Sequence, residues 1–142
     1  IKDEINKTEI EPSNVCFEIT ETAAISNLDQ VSQLILELKR VGCRFALDDL
    51  GSGLSSFTYI KNLPVDYLKI DGSFVHDILD DSIDNAMVVA INQVVHIMGI
   101  GTIAECAESE EVVEMLRELG VDYAQGYAMG SPVPIEGLKQ LT

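Results

Sequence analysis

Short apolar segments alternate along this chain with segments in which apolar residues recur at helical spacing. The apolar segments are rich in β-branched, aromatic and aliphatic residues and are typical of strands buried on both faces. They are VCFEIT (15–20), RFALDD (44–49), DYLKID (66–71), GTIAEC (101–106) and DYAQGY (122–127). Because strands that alternate with helices pair in parallel, this order predicts an α/β fold built on five parallel strands.

The intervening segments carry the signals of helix ends. Apolar residues at intervals of three and four predict helices over 28–38, 83–98 and 112–119. A glycine follows each segment where helices commonly stop, and a serine precedes two of them as a predicted N-cap. The glycines are Gly42, Gly99 and Gly120, and the serines are Ser82 and Ser109.

Polar side chains stand at or near the carboxyl end of every predicted strand. They are Glu18, Glu21, Asp48, Asp49, Lys69, Asp71, Glu105, Glu108 and Gln125. Any one acid alone could cap a helix or face solvent, but agreement at five strand ends favours a shared site. Neither G-x-G-x-x-G nor a Walker A lysine is present, which disfavours the nucleotide-binding open sheets. A (β/α) barrel, which builds its active site at this end of its strands, is therefore predicted.

The composition narrows the choice of partners. A net charge of −15 over 142 residues argues against a nucleic-acid polymer or an anionic membrane surface, because both attract basic faces. The three cysteines are scattered and form no C-x-x-C, and no apolar run is long enough to span a bilayer. These features predict a soluble, cytoplasmic segment, with any membrane tether outside it. An anionic ligand would need metal ions to offset the acids.

The oxygen-rich residues suit hard cations such as Mg²⁺, Mn²⁺ or Ca²⁺. Two ions about 4 Å apart could clamp a phosphodiester and activate water. Asp48 and Asp49 could share them if the end of the strand is distorted, because regular strand geometry points neighbours to opposite faces. Lys69 could then hold the water or a phosphate oxygen. The competing interpretation is a Schiff-base lysine, which the surrounding acids disfavour because they raise the pKa of an amine.

Several motifs resemble the EAL-domain cyclic di-GMP phosphodiesterases of bacterial signalling proteins. They are FEITETAAISN, FALDDLGSGLSSFTYIKNLPVDYLKIDGSFV, TIAECAE and GVDYAQGYAMGSPVP. The resemblance implies a modified (β/α)₈ TIM-type barrel that uses two Mg²⁺ or Mn²⁺ ions to hydrolyse cyclic di-GMP to linear pGpG. Ca²⁺ is then the expected inhibitor.

The resemblance also implies roles for individual residues. Glu18, Asp48, Asp49 and Glu105 resemble metal ligands, Glu105 also resembles a candidate base, and Lys69 resembles the lysine that positions the water. Glu21 resembles the anchor of a loop, Glu108 a supporting acid and Gln125 a residue that contacts the site. Asp71 of the LKID segment is grouped with these supporting residues. Leu50 and the Cys106-Ala107 pair depart from the commoner residues of the motif, and both changes are apolar.

The Glu-Ala-Leu signature of the first strand is missing from residues 1–142. A complete barrel needs about 250 residues, so we expect this chain to be the C-terminal portion of one EAL-type domain, inactive alone. Two open sheet edges predict a homo-oligomer or a strand-exchanged assembly. The alternative function is a non-catalytic cyclic di-GMP receptor or dimerisation module.

Overall fold

The computed structural model describes residues 2–7, 10–50 and 57–134 of the chain, and the side chains of residues 2, 4, 6, 49 and 50 lie outside the described part. Helices and strands alternate as the sequence predicts. The helices are α1 (Lys2–Lys7), α2 (Glu21–Ser26), α3 (Leu28–Lys39), α4 (Phe57–Ile60), α5 (Gly72–His76), α6 (Ser82–Ile97) and α7 (Glu110–Glu118), with a 3₁₀ turn at Pro12–Asn14. The strands are β1 (Cys16–Thr20), β2 (Arg44–Leu50), β3 (Tyr67–Ile70), β4 (Gly101–Ala104) and β5 (Tyr123–Ala124).

The five strands form one sheet in the order β1-β2-β3-β4-β5, and every neighbouring pair is parallel. Each strand therefore lies next to the strand that follows it in sequence, with helices in the connections. This confirms the predicted parallel α/β fold. The central strands are buried, whereas the side chains of β1 and β5 are half-buried or exposed because these strands lie at the edges.

One face of the sheet packs against the helices. Phe45 and Leu47 of β2 and Leu68 and Ile70 of β3 are almost completely buried in the apolar core. The helices contribute Ile35, Leu38, Val88, Ile91, Val95, Val112 and Leu116 to the same cluster. Because side chains alternate along a strand, the residues between these core positions lie on the opposite face. Lys69, between Leu68 and Ile70 on β3, therefore lies on that opposite face.

The predicted helix ends are confirmed, with one correction. Gly42, Gly99 and Gly120 adopt positive φ values of 110°, 74° and 76°, a conformation that glycine adopts without strain. Ser109 caps α7 by accepting the N–H of Val112. The prediction that Ser82 caps α6 is wrong.

Asp81 caps α6 instead, because its carboxylate accepts the N–H groups of Ile83 and Asp84. An acid one residue earlier supplies both the acceptor and a negative charge at the positive end of the helix. Ser82 becomes the first helical residue.

The last two strands are shorter than predicted. The strand predicted over 101–106 ends at Ala104, and the strand predicted over 122–127 ends at Ala124. The hydrogen-bond ladder continues slightly further, because Gln125 N–H donates to the Ala104 carbonyl at 2.8 Å. Cys106 then adopts a positive φ of 55°, which takes the chain out of the extended conformation. A left-handed residue therefore ends this part of the sheet.

Candidate functional site at the carboxyl end of the sheet

The side chain of Lys69 lies at the centre of the candidate site. Lys69 follows Leu68 and precedes Ile70 on β3, so its side chain lies on the face opposite the core, and it is only 4% exposed. Its Nζ lies 2.7 Å from Glu105 Oε1, 3.1 Å from Glu18 Oε2 and 3.2 Å from Asp48 Oδ1. The structure therefore brings together four of the residues that the sequence singles out, from four adjacent strands or their ends.

The three carboxylates keep Lys69 protonated. Burial alone would lower the pKa of this amine, but the hydrogen bonds that it donates to Glu105, Glu18 and Asp48 outweigh burial and raise the pKa above its ordinary value. A Schiff-base lysine must be deprotonated to attack a carbonyl. The geometry therefore argues against the lyase alternative and favours Lys69 as a permanent positive charge with three N–H donors.

The pairing of β2 with β3 is distorted near Asp48 and Asp49. Leu47 pairs with Leu68 and Leu50 pairs with Ile70, so three steps along β2 match two steps along β3. Such a bulge leaves one extra residue on β2 and re-aims the side chains around it. The distortion that the sequence argument requires is present in the backbone. The side chain of Asp49 lies outside the described part, so its predicted role as a ligand stays a prediction.

The acids outnumber the cation, which suits a divalent metal. Glu18 has a side chain that is 51% exposed, whereas those of Asp48 and Glu105 are 21% and 23% exposed. Three carboxylates around one ammonium leave an excess of two negative charges, and carboxylate oxygens are the donors that Mg²⁺ and Mn²⁺ prefer. Within the described ranges, however, no group of three or more acids, histidines or cysteines has the arrangement of a metal site. The donor chemistry fits a metal, while the described carboxylates point at Lys69.

The segment after β4 forms a cavity beside Glu105. Ala107 N–H donates to the Gln125 carbonyl at 3.0 Å, and a Cβ on Gly126 would lie 2.3 Å from the Ala107 carbonyl oxygen. Only glycine allows these two backbones to approach so closely. The cavity has a volume of about 240 Å³. It is lined by Glu105, Cys106, Glu108, Gln125, Gly126, Tyr127, Gly130 and Pro132.

Glu108 and Gln125 thus line the same cavity as Glu105, whereas Asp71 and Glu21 lie at the starts of helices. Asp71 caps α5 by accepting the N–H of Ser73 at 2.7 Å. Glu21 is the first residue of α2. The Glu108 carboxylate also lies 3.8 Å from His76 Nδ1, and both side chains are mostly exposed. The supporting roles predicted for Glu21, Asp71, Glu108 and Gln125 therefore stay predictions.

Sequence reasoning missed the other residues that line the cavity. Tyr127, Gly130 and Pro132 belong to residues 125–134, which contain no acid or cation to draw attention to them. The one available signal was the glycine after Gln125, because an isolated glycine near a strand indicates a close backbone approach.

Comparison with known proteins identifies the family. The family model for the EAL domain matches residues 1–132. The chain belongs to the EAL-domain family. Relatives of this EAL-domain chain include the cyclic di-GMP phosphodiesterase PdeB of Shewanella oneidensis, 48% identical over 85% of the chain, and PdeA of Borreliella burgdorferi, 41% identical over 95%. The chain spans only 14% and 20% of the lengths of these two relatives.

Solved EAL-domain structures share the fold. The phosphodiesterase PaMucR in complex with c-di-GMP superposes on 96% of this chain with a TM-score of 0.87 at 34% identity, and the chain covers 56% of that structure. Klebsiella pneumoniae BlrP1 in a manganese and cyclic di-GMP complex covers 89% of the chain with a TM-score of 0.79 at 28% identity, and the chain covers 32% of it. EAL domains are TIM-barrel-like, so the five strands match part of such a barrel. Among the described helices, none has a long enough apolar stretch to cross a membrane.

Proposed function

We propose that this chain is part of a cyclic di-GMP phosphodiesterase that hydrolyses its substrate to linear pGpG. The observation that carries the proposal is the Lys69 ammonium held among Glu18, Asp48 and Glu105 at the carboxyl end of the sheet. Phosphodiester hydrolysis needs positive charge against the phosphate and a carboxylate that can accept a proton from water, and this cluster contains both. The names of the relatives PdeB and PdeA support the same substrate.

Glu18, Asp48, Asp49 and Glu105 would hold two Mg²⁺ or Mn²⁺ ions. When bound, such ions neutralise the phosphate and lower the pKa of a bound water, and the manganese complex of BlrP1 supports the use of divalent metals. Lys69 would donate an N–H to the attacking water or to a phosphate oxygen. Glu105 would accept a proton from the attacking water while the oxygen of that water bonds to phosphorus. One phosphorus–oxygen ester bond breaks, and the released alkoxide takes up a proton to become a hydroxyl.

The remaining predicted residues would support this chemistry. Gln125 and Glu108 lie on the 240 Å³ cavity beside Glu105, where they can contact a polar part of the substrate. Glu21 would anchor the loop that follows β2, and Asp71 would hold the end of β3 in place by capping α5. Ca²⁺ would inhibit, because its larger and more flexible coordination shell fits the site without activating water.

We further propose that residues 1–142 form the C-terminal portion of a (β/α)₈ barrel whose Glu-Ala-Leu segment lies elsewhere in the protein. The share of the solved EAL structures that the chain covers supports this domain assignment. The segment alone should then be inactive. Within the described residues, β1 and β5 have one neighbouring strand each, so the isolated segment should associate through these edges. Sedimentation of the 142-residue chain should show a dimer or larger species, and a stable, cooperatively unfolding monomer would contradict this.

The test of function uses the full-length protein with cyclic di-GMP and either Mg²⁺ or Mn²⁺. Chromatography should show linear pGpG, and a chelator or excess Ca²⁺ should stop its formation. The matched control is Glu114→Gln, which changes an exposed acid that pairs with Arg117 on α7 and should leave turnover intact. Turnover that persists in a chelator would overturn the metal mechanism. Tight binding of cyclic di-GMP without any product would instead establish a non-catalytic receptor.

A further inference from the structure

Asp66 links three strands at the end of the sheet opposite the candidate site. It immediately precedes β3, and its side chain is 28% exposed. One carboxylate oxygen, Oδ2, accepts the backbone N–H of Phe45 at 2.9 Å, and the other, Oδ1, lies 2.6 Å from Lys39 Nζ. The Lys39 ammonium also donates to the Pro64 carbonyl at 3.1 Å, so it is held against the start of the same segment.

The backbone of Asp66 makes two further connections. Its N–H donates to the Phe45 carbonyl at 2.9 Å, and its carbonyl accepts the N–H of Gly101 at 3.0 Å. Phe45 belongs to β2 and Gly101 begins β4. A single residue thus contacts both neighbours of β3, and the side chain of Asp66 adds a second bond to Phe45 that the backbone alone could not make.

These three strands are the ones that deliver the centre of the candidate site. Asp48 lies three residues beyond Phe45, Lys69 three residues beyond Asp66 and Glu105 four residues beyond Gly101. At about 3.3 Å per residue, the Asp66 contacts lie about 10 Å behind the Lys69 cluster. A slip of one residue between two strands would turn the whole set of side chains to the other face.

The site end of β2 is poorly suited to setting this register by itself. The regular pairing of β2 with β3 is interrupted between Leu47 and Leu50, where the bulge lies. Beyond an interruption the ladder no longer fixes which residues oppose each other. The regular pairs that remain, Ala46 with Tyr67 and Leu47 with Leu68, follow directly from the bonds between Phe45 and Asp66.

We propose that Asp66 is a positioning residue, which fixes the register of β2 against β3 so that Asp48 reaches Lys69. The chain offers a matched control because the same VDY tripeptide recurs at 121–123. Asp122 accepts the N–H of Thr102 on β4 at 2.8 Å and lies 2.7 Å from His96 Nε2, so it repeats the arrangement between β4 and β5. Asp122 makes this link outside the pair of strands that carries Asp48 and Lys69.

The first readout is independent of the reaction. Full-length wild type, Asp66→Ala, Asp122→Ala and Lys39→Met are treated with the amine-acylating reagent sulfosuccinimidyl acetate, and mass spectrometry measures acylation of Lys69 relative to exposed Lys61. At a temperature where circular dichroism shows every variant folded, Asp66→Ala should raise the relative rate at Lys69 at least about tenfold. Asp122→Ala should change it less than about twofold. Lys39→Met should resemble the Asp122 variant, because the Phe45 bond to Asp66 remains.

The second readout is turnover, and only this arm rests on the proposed phosphodiesterase function. A misplaced lysine should lower kcat for cyclic di-GMP by about 10- to 100-fold with KM within about threefold, because positioning acts mainly in the transition state. Asp122→Ala should keep kcat within about threefold. Inactive wild-type protein would count against the proposed function alone, and acylation would still decide the role of Asp66.

Equal acylation of Lys69 in the Asp66 and Asp122 variants would overturn the proposal, since both residues would then contribute only stability. If Asp66→Ala does not fold, Asp66→Asn and Asp122→Asn are compared in the same way. Asparagine keeps one side-chain oxygen as a hydrogen-bond acceptor but lacks the negative charge. Selective exposure of Lys69 in Asp66→Asn supports the positioning role. Equal protection of Lys69 in these two variants overturns it.

Discussion

The two ends of the parallel sheet hold their acids in different ways. At the amino end, Asp66 pairs with Lys39 and the Phe45 N–H, and Asp122 pairs with His96 and the Thr102 N–H. Each of these acids thus has its own basic side chain and a backbone donor. At the carboxyl end, three acids converge on the single ammonium of Lys69.

This difference predicts that the acids at the amino end contribute mainly to stability and those at the carboxyl end mainly to activity. A carboxylate that is matched by a basic partner and an N–H donor contributes to folding, because its hydrogen bonds replace those it made with water. Acids that crowd one cation repel each other, and the folded chain gains little from their closeness. Such an excess of negative charge is useful where divalent metal ions must bind, and the ions can then offset the charge of a phosphate. We therefore expect an acid-to-amide change at the carboxyl end to lower mainly kcat or metal affinity, and one at the amino end to lower mainly the free energy of unfolding.

The largest expected effect is on the rate, at the carboxyl end. Glu105→Gln in the full-length protein should lower kcat for cyclic di-GMP at least about 100-fold, because it removes the carboxylate that we propose to accept the proton or hold a metal. The free energy of unfolding should change by less than about 1 kcal/mol, since the lost ion pair with Lys69 is offset by relief of repulsion. Product chromatography and urea denaturation measure the two quantities.

Binding separates the possible roles of Glu105. We expect other groups of the site to hold the substrate as well, so its affinity for Glu105→Gln, measured by calorimetry with Ca²⁺ to stop turnover, should fall only modestly. Loss of binding with normal turnover per bound ligand would show that Glu105 binds substrate and does not take part in the chemistry.

The next effect is on metal affinity. Asp48→Asn keeps a side chain that can still contact Lys69 but removes a charged oxygen donor, so Mn²⁺ affinity should fall at least about tenfold. Hydrolysis at limiting Mg²⁺ should fall with it, and the same is expected of Asp49→Asn. Calorimetric titration with Mn²⁺ measures the affinity, with Glu114→Gln as the control. Unchanged hydrolysis at limiting Mg²⁺ in either aspartate variant would refute the assignment of this pair to metal binding.

The sequence predicted the fold well because its signals are local. Alternation of apolar runs with helical periodicity, and a glycine at each of three helix ends, depends on residues close together in the chain. The location of the candidate site could also be predicted, because parallel strands deliver their last residues to one edge of the sheet. The strand ends were less accurate, because the left-handed conformation of Cys106 has no clear sequence signal in a non-glycine residue.

The amino end was not anticipated from the sequence. Asp66 bonds to Phe45, 21 positions away, and Asp122 bonds to Thr102, 20 positions away, so only the assembled sheet shows their partners. The contact between His96 and Asp122 likewise appears only in three dimensions, because these residues are 26 positions apart. The repeat of VDY was the available clue. It carried little weight because each tripeptide lies at the start of a predicted strand, away from the end where the site is predicted.

The smallest expected effect is on stability, at the amino end, and it depends on pH. Burial alone would raise the pKa of Asp122, but the hydrogen bonds from Thr102 N–H and His96 outweigh burial and lower it. Because the pKa is lower in the folded chain than in the unfolded chain, this carboxylate stabilises the fold above the ordinary aspartate pKa of about 3.9. The contribution is lost as the pH falls through the lower, folded-state value.

At pH 7, Asp122→Asn should lower the free energy of unfolding by about 1 kcal/mol, since the side chain is partly exposed. The difference in unfolding free energy between wild type and Asp122→Asn, measured by urea denaturation, should therefore shrink as the pH falls from about 5 to about 2. At pH 7, kcat of Asp122→Asn should stay within about threefold of the wild-type value. A difference that stays constant down to the lowest pH would mean that the ionised form of Asp122 does not stabilise the amino end, and the contrast between the two ends of the sheet would fail.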